Sequence, residues 1–495
     1  MPSQLEDPPL SLSDPDAIGR VCEALDRAGY SEARVAELLG YRAVPSQRTR
    51  ANALPLLLWR TRQANALEAL TRLFMLGVPV AVSALRNLPP TSVEDWVNLG
   101  LVQVSRQEAV PQVSLHPYRE IVAAVDWAGQ PSDARHQVME ISASSMTLAQ
   151  ITIRRPVQNT LDLGMGSGVQ ALLAAAHSDR VVGVDCNARA LGFARFNVLM
   201  NRRSNIEWLE GDLFEPVRGR QFDLIVVNPP FVISPESCRL ASDSGLPGDQ
   251  FAQRIVRGAP QFLREGGYCQ IVCNYAQLKG QDWRQRLSGW FEGSGCDAWV
   301  LHSRTEDAMA YAANRLRERE GDDLRSSADR FQRWLAYYEE EQIEGIGFGV
   351  ITMRRRTGLN WFRCDDAPEI IGPGGDAIAM AFELHDFLEQ TDDQALLAIR
   401  LRTAPALRWE QRLAVAADGW SPVESRLRLG AGLAFTGNVD GKVAALVALC
   451  RGDRPLREVI TEAAQSFGQS PENTIPFCLS LVRRLVAKGI LLPSE

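Results

Sequence analysis

One stretch constrains this chain more than any other: Asp162-Leu-Gly164-Met-Gly166-Ser-Gly168, between the β-rich run Asn159–Leu163 and the helical run Val169–Ala176. Three glycines at alternate positions predict a turn bare of side chains, where a ligand can lie against the backbone as strand passes into helix. From Gln137 to Arg356 the pattern repeats, and strands are expected at Asn159–Leu163, Arg180–Asp185, Asn205–Glu210, Phe222–Asn228, Tyr268–Cys273, Ala298–Ser303 and Gly347–Arg354. Strand alternating with helix implies a parallel sheet covered on both faces. The expected class is α/β, a doubly wound seven-stranded Rossmann-like core. Leu316–Arg330, charged and holding a Gly-Asp-Asp turn, reads as an excursion before the last strand.

The glycine spacing sorts the ligands. A dinucleotide fingerprint places its third glycine at position 169, which is Val169 here, and no Gly-Lys-Ser/Thr follows to make a phosphate loop. D-x-G-x-G-x-G fits S-adenosylmethionine better, since that ligand has no pyrophosphate to rest on a helix start. Asp162 at the strand end suits a cationic amino group. Asp185 closes the second run, Val181-Val-Gly-Val184-Asp185-Cys-Asn187, about twenty residues on, as a βαβ crossover requires, and is placed to accept from ribose hydroxyls. Gly211-Asp212-Leu213-Phe214 follows the third strand and is placed to hold an adenine ring.

Chemistry is expected at Asn228-Pro229-Pro230-Phe231, after the fourth strand. Two prolines stiffen the loop. The Asn228 carboxamide oxygen and the Pro229 carbonyl can then serve as two fixed acceptors for an –NH2 group on an sp2 carbon. Accepting both hydrogens draws electron density to the nitrogen and frees its lone pair, while Phe231 can stack on a flat substrate. Positioning of this kind removes the need for a strong base.

At these residues the chain resembles the N-P-P-[FY] methyltransferases of class I, with the HemK-like group and the methyltransferase small domain proteins nearest. Gly245-Leu-Pro-Gly248, Phe251, Ile255-Val256, Ala259-Pro260, Leu263 and Gly266-Gly267 resemble the helix and turn after that loop in HemK-like enzymes. The resemblance covers residues 138–356. It implies that Asp162, Gly164, Gly166 and Gly168 bind the methionine part of the cofactor, that Asp185 (with Asn187 beside it) takes the ribose, and that Asp212 and Leu213 take the adenine. Asn228, Pro229, Pro230 and Phe231 would take the target nitrogen. Phe231 stands where glutamine methylators of the HemK group usually carry Tyr, and Ser234–Asp249 lacks their paired glycines. Phe is usual among methylators of ribosomal-RNA guanine.

The flanks divide the chain into three expected parts: residues 1–125, the methyltransferase core 137–356, and residues 360–495. Residues 1–125 read as short helices followed by strands at Leu101–Ser105 and Gln112–Leu115, which suits either a winged-helix-like module or a helical cap. The last part ends in helical runs that could form a second winged-helix-like unit. Charge weighs against a long phosphate footprint: residues 1–125 carry 12 Lys/Arg against 13 Asp/Glu, residues 360–495 carry 14 against 18, and the whole chain is −7. The substrate expectation is a nucleic-acid base amine, RNA or DNA, with a protein glutamine side chain as the alternative and a non-catalytic binding module as a third. No apolar run approaches ~18 residues and the acidic, proline-rich start lacks a secretory pattern, so a cytoplasmic protein without a membrane partner is expected. Nine cysteines without a CxxC pair and five scattered histidines give a metal site no support. Cys269 and Cys273 read as buried thiols on one strand face.

Overall fold

The structure, a computed structural model, describes residues 9–63, 65–127, 134–236, 243, 245–320, 324–416 and 419–494. The first eight residues of the acidic start and most of the loop between Glu236 and Gly245, where paired glycines were sought, lie outside the described residues.

The central sheet is built from β1 (Val157–Leu163), β2 (Ser178–Asp185), β3 (Ile206–Glu210), β4 (Phe222–Val227), β5 (Leu263–Leu278), β6 (Cys296–Asp307), β7 (Ile343–Arg355) and β8 (Phe362–Asp366). Their order across the sheet is 3-2-1-4-5-7-6-8. Only β7 runs against its neighbours, β5 and β6. The central strands are apolar on both faces because helices cover both; Leu224, Ile225, Val226 and Val227 of β4 are all buried. The strand order reverses between β1 and β4, and an open parallel sheet binds ligands outside the carboxyl ends at such a point. All seven expected strands are present, and β8 adds an eighth. It pairs in parallel with β6, and Trp299 Nε1 donates to Asp365 at 2.9 Å. Its polar composition, which reads as linker, is that of a half-exposed edge strand.

Helices flanking the sheet include α1 (Val169–Ala174), α2 (Ala188–Met200), α3 (Gln250–Gly258), α4 (Trp283–Ser288) and α5 (Ala308–Glu320), with α6 (Leu324–Glu340) packed against α5 in the connection from β6 to β7. Asn187 caps α2, its Oδ1 accepting from Arg189 N–H at 3.1 Å. Cys269 and Cys273 are both buried in the core on one side of the sheet.

The first 127 residues belong to the same compact unit as the sheet. Among the described residues seven helices and a two-residue strand, Val80–Ala81, precede two hairpins, with strands at Val102–Ser105, Glu108–Pro111, Ser114–Tyr118 and Ile121–Val125. Ala190, Phe193, Phe196 and Met200 of α2 share one hydrophobic cluster with Ile18, Val21, Phe74 and Trp96. Asn197 brackets Ala124 through both ends of its carboxamide, at 2.7 and 3.0 Å. Asp126 and Arg189 form a buried two-bond ion pair, 2.6 and 3.0 Å.

The second unit comprises Gln150–Arg155 and residues from Ala367 onward. Its core gathers the helices Gly375–Gln390, Gly441–Leu449, Leu456–Ser466 and Pro471–Ala487 with the strands Arg400–Thr403, Arg451–Pro455 and Leu491–Pro493. A separate hairpin, Arg408–Ala416 with Gly419–Arg428, is joined by Thr436–Asn438. Among the described residues no helix is long and apolar enough to cross a membrane.

Candidate active site

Sheet register puts the site together. Leu163 at the end of β1 pairs with Val184 of β2 on one side and Val227 of β4 on the other. The residues that follow, Gly164, Asp185 and Asn228, therefore emerge in one row. Below them opens a cavity of about 310 Å³, lined by Asp162, Gly164, Gly166, Asp185, Asn187, Asp212, Leu213, Asn228, Pro229, Pro230 and Phe231. Every residue singled out in the sequence thus lines one space except Gly168, which does not reach it.

Gly168 starts α1 instead. Its φ is +83°, and an added Cβ would stand 3.3 Å from the Trp208 ring. Gly166 also has a left-handed backbone, φ +55°, but a Cβ there meets nothing within 4 Å because it would point into open space. The turn is pinned from outside: Gly164 and Met165 N–H both donate to the Val184 carbonyl, at 2.9 and 3.1 Å.

Asp162 is buried, and its Oδ2 accepts from Ala171 N–H of α1 at 2.8 Å. Burial pushes its carboxyl up to about 7, against the pull of that hydrogen bond and with the charge of Asp185 adding to the rise. Asp185 uses one oxygen for Gly166 N–H, 2.8 Å, and the other for Asn187 N–H, 2.9 Å. Burial raises its carboxyl too, opposed by those two donors. Each carboxylate oxygen keeps a second lone pair for a ligand. Asn187 is less free: besides capping α2, its Nδ2 donates to the His136 carbonyl at 3.0 Å. Asp212 is exposed and salt-bridged to Arg254 of α3 at 2.9 Å.

Asn228 lines the cavity with one polar need left unmet. Its Nδ2 donates to Ser145 Oγ at 3.1 Å, whereas its Oδ1 is buried without a hydrogen-bond partner. A buried acceptor left bare costs roughly 1–3 kcal/mol, so its persistence beside a cavity marks a ligand's place. Phe231 packs edge-on against Phe348, ring centres 6.1 Å apart.

Sequence reasoning gave no site role to three contributors, although it named Phe251 and Ile255 within the helix after the loop. Ser142, Ser144 and Ser145 line the cavity from the start of the helix Ala143–Ile151, ahead of the glycine turn. Phe251 and Ile255 of α3 form an apolar wall. The third is the α5–α6 pair, read in the sequence only as an excursion. Arg315 lines the cavity, and Tyr338 Oη donates to the Ile233 carbonyl at 2.8 Å. Tyr337 Oη accepts from Gly248 N–H at 2.6 Å, and Arg330 grips Glu236 at 2.8 and 3.0 Å. These helices hold the loop that continues from Phe231. The nearest sequence signal was the aromatic run Trp334-Leu-Ala-Tyr337-Tyr338 on a charged helix.

Comparisons with known proteins agree with this geometry. Residues 138–292 match the methyltransferase small domain. Residues 27–112 and 379–493 match two families described only as domains of unknown function, DUF7059 and DUF7782. A provisionally named protein N5-glutamine methyltransferase of Methanocaldococcus jannaschii is 32% identical over 143 residues, 28% of this chain and 72% of that protein. The release factor glutamine methyltransferase of Geobacter sulfurreducens is 33% identical over 154 residues, covering 28% and 52%. The ribosomal protein uL3 glutamine methyltransferase of Xanthomonas campestris is 34% identical over 135 residues, covering 25% and 43%. The chain thus spans about half or less of the latter two. With a relative matched over 72% of its length at 32% identity, and with the sheet order and strand-end residues described above, this chain belongs to the class I S-adenosylmethionine-dependent methyltransferases of the N-P-P-[FY] group.

Proposed function

We propose that the chain methylates the amide nitrogen of a protein glutamine side chain. The observation that carries this reading is the buried, unpartnered Asn228 Oδ1 at the end of β4, across the cavity from the glycine turn. Beside it the Pro229 carbonyl makes no hydrogen bond among the described residues. Two acceptors with no donors of their own suit a group that brings two hydrogens on one planar nitrogen. A primary amide is such a group.

The residues fit S-adenosylmethionine. Gly164 and Gly166 leave a cradle where any Cβ would fill ligand space. Asp162 offers a buried carboxyl that a cationic amino group would stabilise in its charged form, and Asp185 offers lone pairs to hydroxyls. Asp212 and Leu213, from the turn after β3, border the same space. Bound there, S-adenosylmethionine supplies an activated methyl group on a sulfonium. This chain's part is positioning: Asn228 and Pro229 orient the –NH2, Phe231 offers a face to the planar amide, and the apolar wall of Phe251 and Ile255 keeps water out.

Phe231 and the flanking modules favoured a nucleic-acid base. The relatives' names favour glutamine in a release factor or a ribosomal protein, and the acidic flanks point the same way. The test is incubation with tritiated S-adenosylmethionine and separated protein, RNA and DNA fractions of a lysate, followed by peptide mass spectrometry. Label on a glutamine side chain is expected. Label confined to RNA or DNA overturns the substrate, and no label in any fraction overturns the activity.

A further inference from the structure

A carboxamide has two ends of nearly equal shape. An Asn228 turned by half a rotation would present Nδ2–H donors to the incoming –NH2 and repel it. Something must fix the rotation, and among the described residues the hydrogen-bond partner of the Asn228 carboxamide is a side chain that sequence reading passed over. Ser145 Oγ accepts from Asn228 Nδ2 at 3.1 Å, which leaves Oδ1 as the end without a partner.

Ser145 is itself held. Its Oγ lies 3.0 Å from Ser142 Oγ, which lies 2.8 Å from Ser144 Oγ. Ser142 Oγ also accepts from Ser145 N–H at 3.2 Å, the capping geometry for the start of the helix Ala143–Ile151. Gln170 of α1 donates from Nε2 to the Ser145 carbonyl at 2.8 Å, tying this helix start to the one behind the glycine turn. Ser145 Oγ and Ser142 Oγ stand within hydrogen-bond distance, and either can donate to the other. With Ser145 donating to Ser142, its hydroxyl is an acceptor toward Asn228 and holds Nδ2, not Oδ1, against it.

We propose that Ser145 is a positioning residue for the methyl-transfer site: its hydroxyl sets the rotation of the Asn228 carboxamide so that Oδ1 faces the target nitrogen. This rests on the reading of Asn228 given above. Ser145 lines the cavity, and in this role it acts through Asn228. The helix cap uses its backbone N–H, so Ser145→Ala leaves the cap in place.

The first test needs neither substrate nor cofactor. In ¹⁵N-labelled full-length protein, the Asn228 side-chain amide resonances are assigned by their loss in Asn228→Ala. One of the two protons should resonate apart from its twin and exchange slowly with solvent. In Ser145→Ala the pair should move together and exchange faster, and Ser145→Thr, which keeps a hydroxyl, should restore the wild-type pattern. Unchanged Asn228 resonances in Ser145→Ala overturn the proposal. The second test uses the lysate fraction that the wild type labels with tritiated S-adenosylmethionine. Ser145→Ala should turn over about ten- to hundredfold more slowly, as expected for misorientation at a reacting centre, with cofactor Kd within about twofold and threonine recovering most of the rate. The double variant should be no slower than Asn228→Ala alone. A fast Ser145→Ala beside an inactive Asn228→Ala overturns the positioning role and leaves the site reading intact; a fast Asn228→Ala overturns the site reading itself.

Discussion

Asn228 and Asp162 sit at strand ends in states that folding alone would not choose, one with a bare acceptor and one with a carboxyl that burial drives toward neutrality. Asn228→Ala removes the bare acceptor, so folding stability should stay within about 1 kcal/mol of wild type. Single-turnover methyl transfer should fall by about 10²–10³, the usual loss for a pre-organised polar contact, while cofactor Kd changes little. Rates within about threefold of wild type would refute the role. For Asp162 the sign follows from proton binding. Its folded value of about 7 lies above the ordinary carboxylate value near 4, so the native protein holds a proton that the unfolded chain has released. Native stability of the ligand-free protein therefore declines as pH rises through that window. Cofactor binding that needs the carboxylate runs the other way. Affinity should tighten by up to about tenfold per unit as pH rises toward 7, then level off, and Asp162→Asn should be weak and flat across the range. Titration calorimetry with S-adenosylmethionine between pH 5 and 8 (about the span set by the two values) decides it. Gly166→Val imposes a branched side chain on φ +55° and fills the cradle, so binding should be lost while the circular dichroism of the fold persists.

At the scale of elements, β2 carries a packing requirement that no motif announces. A Cβ on Gly183 would meet Met165 Sδ at 2.4 Å and the Trp208 ring at 2.7 Å, so the strand, the glycine turn and β3 close on one another there. Gly183→Ala should destabilise by about 1–3 kcal/mol in denaturant melts and weaken cofactor binding by displacing Met165. Equal stability would mean that Trp208 swings aside at no cost. The contrast with Gly166 shows what could be read in advance. The glycine turn, Asp185 and Asn-Pro-Pro-Phe were readable because each follows a short buried run, leucine-bearing in β1 and rich in β-branched residues in β2 and β4, and a parallel register fixes which strand ends meet. Ser145 was not, since a serine at a helix start is ordinary and its meaning lies in a partner 83 residues away. Asn187, placed in the ligand set by proximity, lines the cavity, with its carboxamide divided between capping α2 and the His136 carbonyl. Strand β8 escaped because an edge strand, buried on neither face fully, has the composition of a linker. The α5–α6 pair escaped for a related reason: its charged surface hides the buried Trp334 and Tyr338 that hold the substrate loop.

Across the whole molecule, every residue lining the cavity belongs to the first compact unit. A chain ended after Asp366 should therefore bind S-adenosylmethionine within about threefold of the full-length affinity, a margin of under 1 kcal/mol. Trimming the other side has a different cost. Removing residues before Gln137 strips Arg189 of Asp126 inside a buried pair, which typically costs about 3–5 kcal/mol. It also uncovers Phe193 and Phe196, each worth about 1.5–3 kcal/mol when buried. Together these approach the entire stability of an ordinary domain, about 5–15 kcal/mol. The 137–366 fragment should thus unfold at far lower denaturant than the 1–366 fragment and fail to bind cofactor, although it contains every candidate site residue. If it binds normally, the first 127 residues serve the substrate alone and not the integrity of the core. We propose that the second unit, none of whose residues lines the cavity, serves substrate choice. The 1–366 fragment should keep its cofactor affinity and lose label transfer to the lysate fraction that the full chain modifies. Full transfer by that fragment would remove the second unit from substrate selection and leave recognition to the first unit alone.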